Sequence, residues 1–402
     1  MLAAGKAAAS MARAVEEVAG ERIAAGLAVT KDGHAGAGGG RVAVREAAHP
    51  VPDRRCERAA REMLAIARGC APDDVLVVLL SGGASALLAC PQPGLDLDDV
   101  AGTTAALLAA GADIVELNTV RKHLVEVAGG RLARASGADR VEVLVVSDVL
   151  GDPLDVIASG PCAPDPTTFG DALGVVERHG LHAKLPARAL AHLHAGARGA
   201  REESPKPGDP AFARVRTTVV ARLADALDAA EAELRRSGAR VLRVADALRG
   251  EARVAGRRLA ALARALRADA GPTCLVAGGE TTVTVRGAGR GGRSQELALA
   301  AALAWRNAAG LSLLAAGTDG TDGPTDAAGA YADAETVARG LARGVDAAAA
   351  LADNDAYTFF AREGGLLRTG PTGTNVMDLV LVGVGLDGAR SNASFPNASE
   401  SV

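Results

Sequence analysis

Several short stretches place anion-binding groups beside glycines. Ser81-Gly82-Gly83-Ala84-Ser85 offers two hydroxyls and a glycine turn whose backbone N–H groups can approach an anion; the alternative is a tight strand-to-helix turn without a ligand. Gly5-Lys6 opens an Ala-rich segment. A lysine in the first helical turn opposes the helix dipole unless an anion binds there, and a surface lysine on a frayed end is the other reading. Asn118-Thr119-Val120-Arg121-Lys122-His123 gathers cations and an amide. Asn118 and Lys122 share a helix side, facing either a ligand or solvent. Gly287-Ala288-Gly289-Arg290-Gly291-Gly292-Arg293 satisfies GxGxxG, a weak signal alone. Its two arginines change the meaning, because a dinucleotide loop uses backbone amides whereas Arg290 and Arg293 offer forked donors for phosphate or carboxylate. Gly317 to Gly329 carries Asp319, Asp322 and Asp326 among glycines and threonines, so either a cation such as Mg²⁺ balances them or they cap the next helix.

These stretches need elements to hold them. Val75 to Leu80 is apolar throughout, as expected of a strand buried on both faces of a parallel sheet, and it delivers the Ser81 loop. Val141 to Val146 repeats the pattern and ends at Ser147-Asp148, an acidic group just past a strand's carboxyl end, where open α/β sheets bind ligands. Thr273 to Ala277 is a strand ending in Gly278-Gly279-Glu280, and Thr282 to Arg286 alternates like a half-buried strand. Helices are expected over Ala7 to Val18, Arg54 to Arg68 with Asp53 as cap, Leu97 to Ala112 and Leu297 to Trp305. The βαβα alternation predicts an α/β class with parallel strands throughout. Met1 to Ala4 is too short for a buried central strand before Gly5, so either the first strand is very short or the chain starts late.

The chain has 402 residues, enough for two domains. Proline, histidine and charge rise between Gly180 and Pro210, which places a boundary there or soon after; we divide the chain into 1–215, 216–388 and a disordered tail, 389–402. His179, His182, His192 and His194 lack partners at metal-ligand spacing and are expected at the surface. A net charge of −4 without a basic stripe argues against nucleic acid. No apolar run is long enough for a membrane span, and the five dispersed cysteines fit a reducing cytoplasm.

In order along the chain, SGGASALL, NTVRKH, SDVLGDPLDVIASGP, PDPTTF, AGGETTVTVRGAGRGGRSQE, AAGTDGTDGPTDAAGA and RTGPTGTN resemble the class II glycerate 2-kinases, whose C-terminal half is the MOFRL domain. The resemblance runs from Gly5 to about Val384. It implies an N-terminal Rossmann-like parallel sheet, a C-terminal α/β MOFRL domain and an active site in the cleft between them. It also implies transfer of phosphate from ATP to the 2-hydroxyl of D-glycerate. The family's essential lysine and arginine fall on Lys6 and Arg293, and the Ser81–Ser85 loop would cradle a phosphate.

On this reading, Lys6 and Arg293 stabilise the transferring charge and Asp148 takes the hydroxyl proton. Arg121 or Arg290 grips the glycerate carboxylate, and Mg²⁺ is held partly by Asp319 or Asp322. Ser81, Gly82, Gly83, Ser85, Asn118, Lys122 and Glu280 complete the substrate and nucleotide contacts. A homodimer is left open. Two alternatives remain: an NAD(P)H-dependent hydroxypyruvate reductase using Gly287 to Gly292, and an inactive, truncated family member.

Overall fold

A computed structural model describes residues 1–36, 40–266, 272–306 and 308–385. The expected tail, 389–402, lies outside the described residues. The chain divides into two compact units, Met1–Val220 and the part from Ala221 onward. The division falls beyond the 215/216 boundary expected, because the strand Val215–Ala221 completes the first sheet.

The first unit is built on six strands: β1 Leu2–Ala4, β2 Leu27–Lys31, β3 Ala43–Ala47, β4 Val75–Leu80, β5 Arg140–Val146 and β6 Val215–Ala221. Their order is β3-β2-β1-β4-β5-β6, and every pair from β3 through β5 is parallel. β1 is therefore a central strand, against the expectation that three residues are too few. Leu2 pairs with Leu27 on one side and Val78 on the other. The bonds Gly5 N–H to Val29 O (3.1 Å) and Ser81 N–H to Ala4 O (3.0 Å) prolong the pairing past its end. Side chains alternate across it: Leu2 and Ala4 enter one hydrophobic cluster, Met1 and Ala3 another on the opposite face.

Among the described residues, eight α-helices accompany this sheet: α1 Ala8–Ala19, α2 Arg54–Arg68, α3 Ala84–Leu87, α4 Leu97–Ala109, α5 Ile114–Leu124, α6 Arg131–Ala135, α7 Phe169–Arg178 and α8 Ala187–Ala197. Asp53 caps α2 as expected, accepting from the amide of Arg55 at 2.9 Å. His192 is not the surface residue expected. It is buried on the inner face of α8 with Ala189, Leu193 and Gly196, its ring 5.8 Å from that of Phe169.

The second unit holds β7 Arg240–Arg243, β8 Thr273–Gly279, β9 Leu311–Gly317, β10 Gly329–Asp333, β11 Leu366–Leu367 and β12 Asp378–Val384, in the order β11-β10-β9-β12-β8-β7. Here the expectation of parallel strands fails. Only β7 and β8 pair in parallel, while β12 runs antiparallel to both β8 and β9, and β10 antiparallel to β9 and β11. The reason is the connection between β9 and β10, a loop without a crossover helix. Thr282 to Arg286 is not a strand either; only a bridge from Thr282 to Glu251 forms there. The helices are α9 Leu223–Arg236, α10 Ala252–Leu266, α11 Arg293–Ala304, α12 Thr336–Ala342, α13 Ala347–Ala352 and α14 Ala356–Glu363. Gly256 lets α10 touch α11, since a Cβ there would meet Leu297 O at 2.2 Å. Trp305 locks the same contact, its buried Nε1–H donating to Ala260 O at 3.1 Å.

Candidate active site

The chain winds from β1 toward β3 in one direction and from β4 toward β6 in the other, so the order reverses between β1 and β4. A crevice opens at the carboxyl ends of strands at such a reversal. The two loops that follow these strands are Gly5-Lys6 and Ser81-Gly82-Gly83, and they interlock. Lys6 N–H donates to Gly82 O at 2.9 Å, and Ala7 N–H donates to Ser81 Oγ at 3.0 Å. Gly5 has φ +121°, and a Cβ there would lie 2.4 Å from Ser81 O, so only glycine fits. Gly83, at φ +85°, lies against Lys6 and the His49 ring. The amides of Gly82 and Gly83 donate to no acceptor among the described residues.

Behind this cradle, Ser159 Oγ lies 2.8 Å from Ser85 Oγ and 3.1 Å from Asn118 Oδ1. Ala158 and Ser159 both have left-handed backbones, at φ 56° and 59°, a strained pair that fixes the hydroxyl. Asp148 follows β5 and is half-buried. Arg121, on the last turn of α5, is half-buried and donates to no acceptor among the described residues; desolvation lowers its pKa. Lys122 has a different task from the anion contact expected of it. Its buried ammonium donates to Asp155 Oδ2 at 3.1 Å and Asp165 Oδ1 at 3.4 Å. Burial alone would raise the Asp165 pKa, but Lys122 and bonds from Thr167 and Ser204 hold it below the usual range. Lys122 thus ties α5 to the loop after β5.

In the second unit, Arg293 begins α11 and is enclosed by carboxylates. Its Nε and Nη2 donate to the two oxygens of Asp378 at 2.6 and 3.0 Å, and Nη1 donates to Glu280 at 2.6 Å. Burial pushes Asp378 up to about 6 in spite of Arg293, with Glu280 and Asp319 adding to the rise. Asp378 was not among the candidate residues because its partner Arg293 lies 85 residues earlier in the chain.

The aspartate-rich loop does not hold its carboxylates as a metal cage. Asp322 accepts from the amides of Ser294 (3.1 Å) and Gln295 (2.8 Å), capping α11 from outside its own segment. Burial pushes it up to about 7 against those two bonds. Asp319 Oδ1 accepts from the amide and hydroxyl of Thr321 at 2.9 and 3.0 Å. Among the described residues no group of three or more His, Cys, Asp or Glu side chains could hold a metal ion. The expected Asp319 and Asp322 ligands therefore do not form a preassembled Mg²⁺ site.

Arg290 is also diverted. Its guanidinium lies 4.6 Å from the centre of the Tyr357 ring and donates to Pro324 O at 3.1 Å. The surrounding glycines serve the same packing. The amides of Arg286 and Gly287 donate to Asn354 Oδ1, that of Ala288 to Asp353 Oδ1, and that of Arg290 to Asp355 Oδ1. A Cβ on Gly287 or Gly289 would run into Asp353 or Asp355 within 2.5 Å. The amides that a dinucleotide loop would offer to pyrophosphate are thus taken by a turn of the protein itself.

The profile of a domain of unknown function, DUF4147, matches residues 1–194, and that of the MOFRL family matches 273–378. D-glycerate 2-kinase of Thermotoga maritima is 42% identical over 385 residues, covering 95% of this chain and 89% of its own. An Agrobacterium vitis protein named putative hydroxypyruvate reductase is 42% identical over 402 residues, covering 96% of this chain and 87% of its own. The crystal structure of glycerate kinase from Thermotoga maritima matches with a TM-score of 0.84 at 41% identity, covering 95% of this chain and 90% of that chain. The chain belongs to the family of glycerate kinases that carry a MOFRL domain.

Proposed function

We propose that this protein is an ATP-dependent glycerate 2-kinase that moves the γ-phosphoryl group to the 2-hydroxyl of D-glycerate, releasing ADP and 2-phosphoglycerate. The observation that carries the reading is the 42% identity to D-glycerate 2-kinase over nearly the whole chain. The interlocked Gly5-Lys6 and Ser81-Gly82-Gly83 loops at the sheet's reversal support it. Phosphoryl transfer asks chiefly for positioning and charge neutralisation. Two glycine amides, the Ser81 turn and Lys6 offer both to a phosphate group in the first unit; in the second unit Arg293, oriented by Asp378 and Glu280, is the candidate charge-stabilising residue.

Arg121, a guanidinium without a carboxylate partner among the described residues, suits the glycerate carboxylate, and Asp148 is our candidate to take the hydroxyl proton. Asn118 and Ser85 serve by holding Ser159 in place. Mg²⁺ would neutralise charge on the nucleotide phosphates and would be held partly by Asp319 or Asp322, since no group of three or more ligating side chains stands ready for it among the described residues. The substrates are small molecules. No helix among the described residues is long and apolar enough to cross a membrane; a cytoplasmic location without membrane or nucleic-acid partners is part of the proposal. Assembly as a homodimer belongs to the same reading and is checked by light scattering.

The reductase named for the Agrobacterium vitis relative calls for a dinucleotide loop, and the amides of Gly287 to Arg290 are already consumed. The deciding assay follows ADP release with ATP, Mg²⁺ and D-glycerate, identifies the product by NMR, and runs NADH with hydroxypyruvate in parallel. ADP release with 2-phosphoglycerate as product is expected. NADH oxidation without ADP release would replace the kinase by the reductase.

A further inference from the structure

The first unit contains a cavity of about 370 Å³ that shares no residue with the cradle. It is lined from the last turn of α2, from α6, and from α7 and α8. Arg68 and Ala135 end the helices that lead into the amino ends of β4 and β5, whereas Ser81 and Asp148 follow their carboxyl ends. The cavity nevertheless reaches toward the support behind the cradle at its Arg131 end, where Arg131 Nη1 donates to Lys122 O and the amide of nearby Gly129 donates to Ser159 O at 2.9 Å.

Four arginines line the cavity. Two are matched by acids of the same lining: Arg68 with Glu126 at 3.1 Å and Arg134 with Glu202 at 2.9 Å. Arg131 and Arg201 have no carboxylate within ion-pairing distance among the described residues, leaving an excess of two positive charges among the lining residues, while Asp165, Glu203 and Glu202 act on Arg131 from farther off. Arg131 is 8% exposed. Its Nη1 donates to the carbonyls of Lys122 and Ala128, but its buried Nη2 has no partner. Beside it, His192 is 6% exposed and its Nδ1 is likewise buried without a partner, while the ring is held by a hydrogen bond to the His123 backbone. Burial, helped by the charges of Arg201 and Arg131, lowers the His192 pKa, so the ring is neutral at pH 7 and Nδ1 is an acceptor. A water could satisfy either atom, but it would leave the two charges unbalanced.

We propose that this cavity is a second binding site, for a small hydroxylated phosphomonoester, with the phosphate on Arg131 and Arg201 and a hydroxyl donating to His192 Nδ1. A phosphomonoester carries close to two negative charges at neutral pH, matching the two arginines. The volume, near the lower end for ligand pockets, limits the occupant to a few carbons. Arg201 at the exposed rim receives the ligand and Arg131 fixes it at the floor.

Calorimetric titration of the full chain with β-glycerophosphate tests this, with inorganic phosphate and malonate as comparisons. Binding is expected to weaken about tenfold or more in Arg201→Glu and in His192→Phe, and to stay within twofold of wild type in Lys6→Ala. Arg201 is exposed, so its variant folds even if His192→Phe does not; circular dichroism checks both. Inorganic phosphate is expected to bind more weakly, since it has no carbon chain to carry a hydroxyl to His192. The proposal fails if wild type binds nothing, if Arg201→Glu binds unchanged, or if binding disappears in Lys6→Ala. Malonate binding as tightly as β-glycerophosphate would overturn the phosphomonoester assignment.

Discussion

Two glycine-rich loops in this chain look alike on paper and do opposite things. Ser81-Gly82-Gly83 follows a buried parallel strand at the reversal of a sheet, and two of its amides donate to nothing among the described residues. Gly287 to Gly292 follows no strand, and its amides from Gly287 to Arg290 are spent on Asp353, Asn354 and Asp355. In the first loop glycine lets the backbone approach a ligand. In the second it lets the backbone approach the protein's own turn. Composition does not separate these cases; what stands at the other end of each N–H does.

The largest expected effects test whether the second loop acts only through the residue at its end. Arg293→Ala should lower kcat/KM on the order of a hundred- to a thousandfold, as should Lys6→Ala in the first loop. Arg293→Lys should restore little, because a single ammonium cannot reproduce the fork on Asp378 and Glu280. A mild Arg293→Ala phenotype would break the comparison. Next, Asn354→Ala should destabilise the second unit by about 2–3 kcal/mol in urea unfolding while leaving the KM for ATP within about twofold. It strips partners from the amides of Arg286 and Gly287 and from buried Glu296, and forces alanine into a left-handed backbone at φ 57°.

A pH test comes third. Asp322 sits at about 7 in the folded chain against an ordinary 3.8. Between those values the folded state binds more protons than the unfolded one, so its contribution to stability is greatest below about 4 and is lost as pH rises through about 7. Tm should fall less between pH 5.5 and pH 8 in Asp322→Asn than in wild type. An unchanged slope would mean that the carboxylate stays ionised against its two amides. The smallest effect belongs to Arg290→Ala: about 1 kcal/mol of stability from the lost stack on Tyr357, with activity changed no more than about threefold.

Much of the first unit was readable. The run Val75 to Leu80 announces a buried strand, and Ser81-Gly82-Gly83 announces a turn that spares its amides, because local periodicity and glycine placement determine both. What three residues can do was less readable: Leu2-Ala3-Ala4 becomes a central strand only because β2 and β4 support it, and no window of sequence contains those partners. Lys122 looked like an anion ligand because Asp155 and Asp165, which satisfy it, come 33 and 43 residues later. Arg290 and Arg293 are three residues apart and chemically identical, yet Tyr357 claims one and Asp378 the other. Strand direction in the second unit stayed hidden for the same reason: apolar alternation marks a strand without saying which way its neighbour runs.

The position of Asp378 constrains how this chain can change over time. It opens β12, the strand bonded on both sides, opposite Gly279 and Gly317. A slip of one residue would exchange every side chain of β12 between its two faces and offer Arg293 either Met377 or Leu379 in place of a carboxylate. Substitutions along β12 can be absorbed by repacking, but a single inserted or deleted residue cannot. Within Asp378–Val384, variation in length is therefore closed to this lineage, even where variation in residue type remains open.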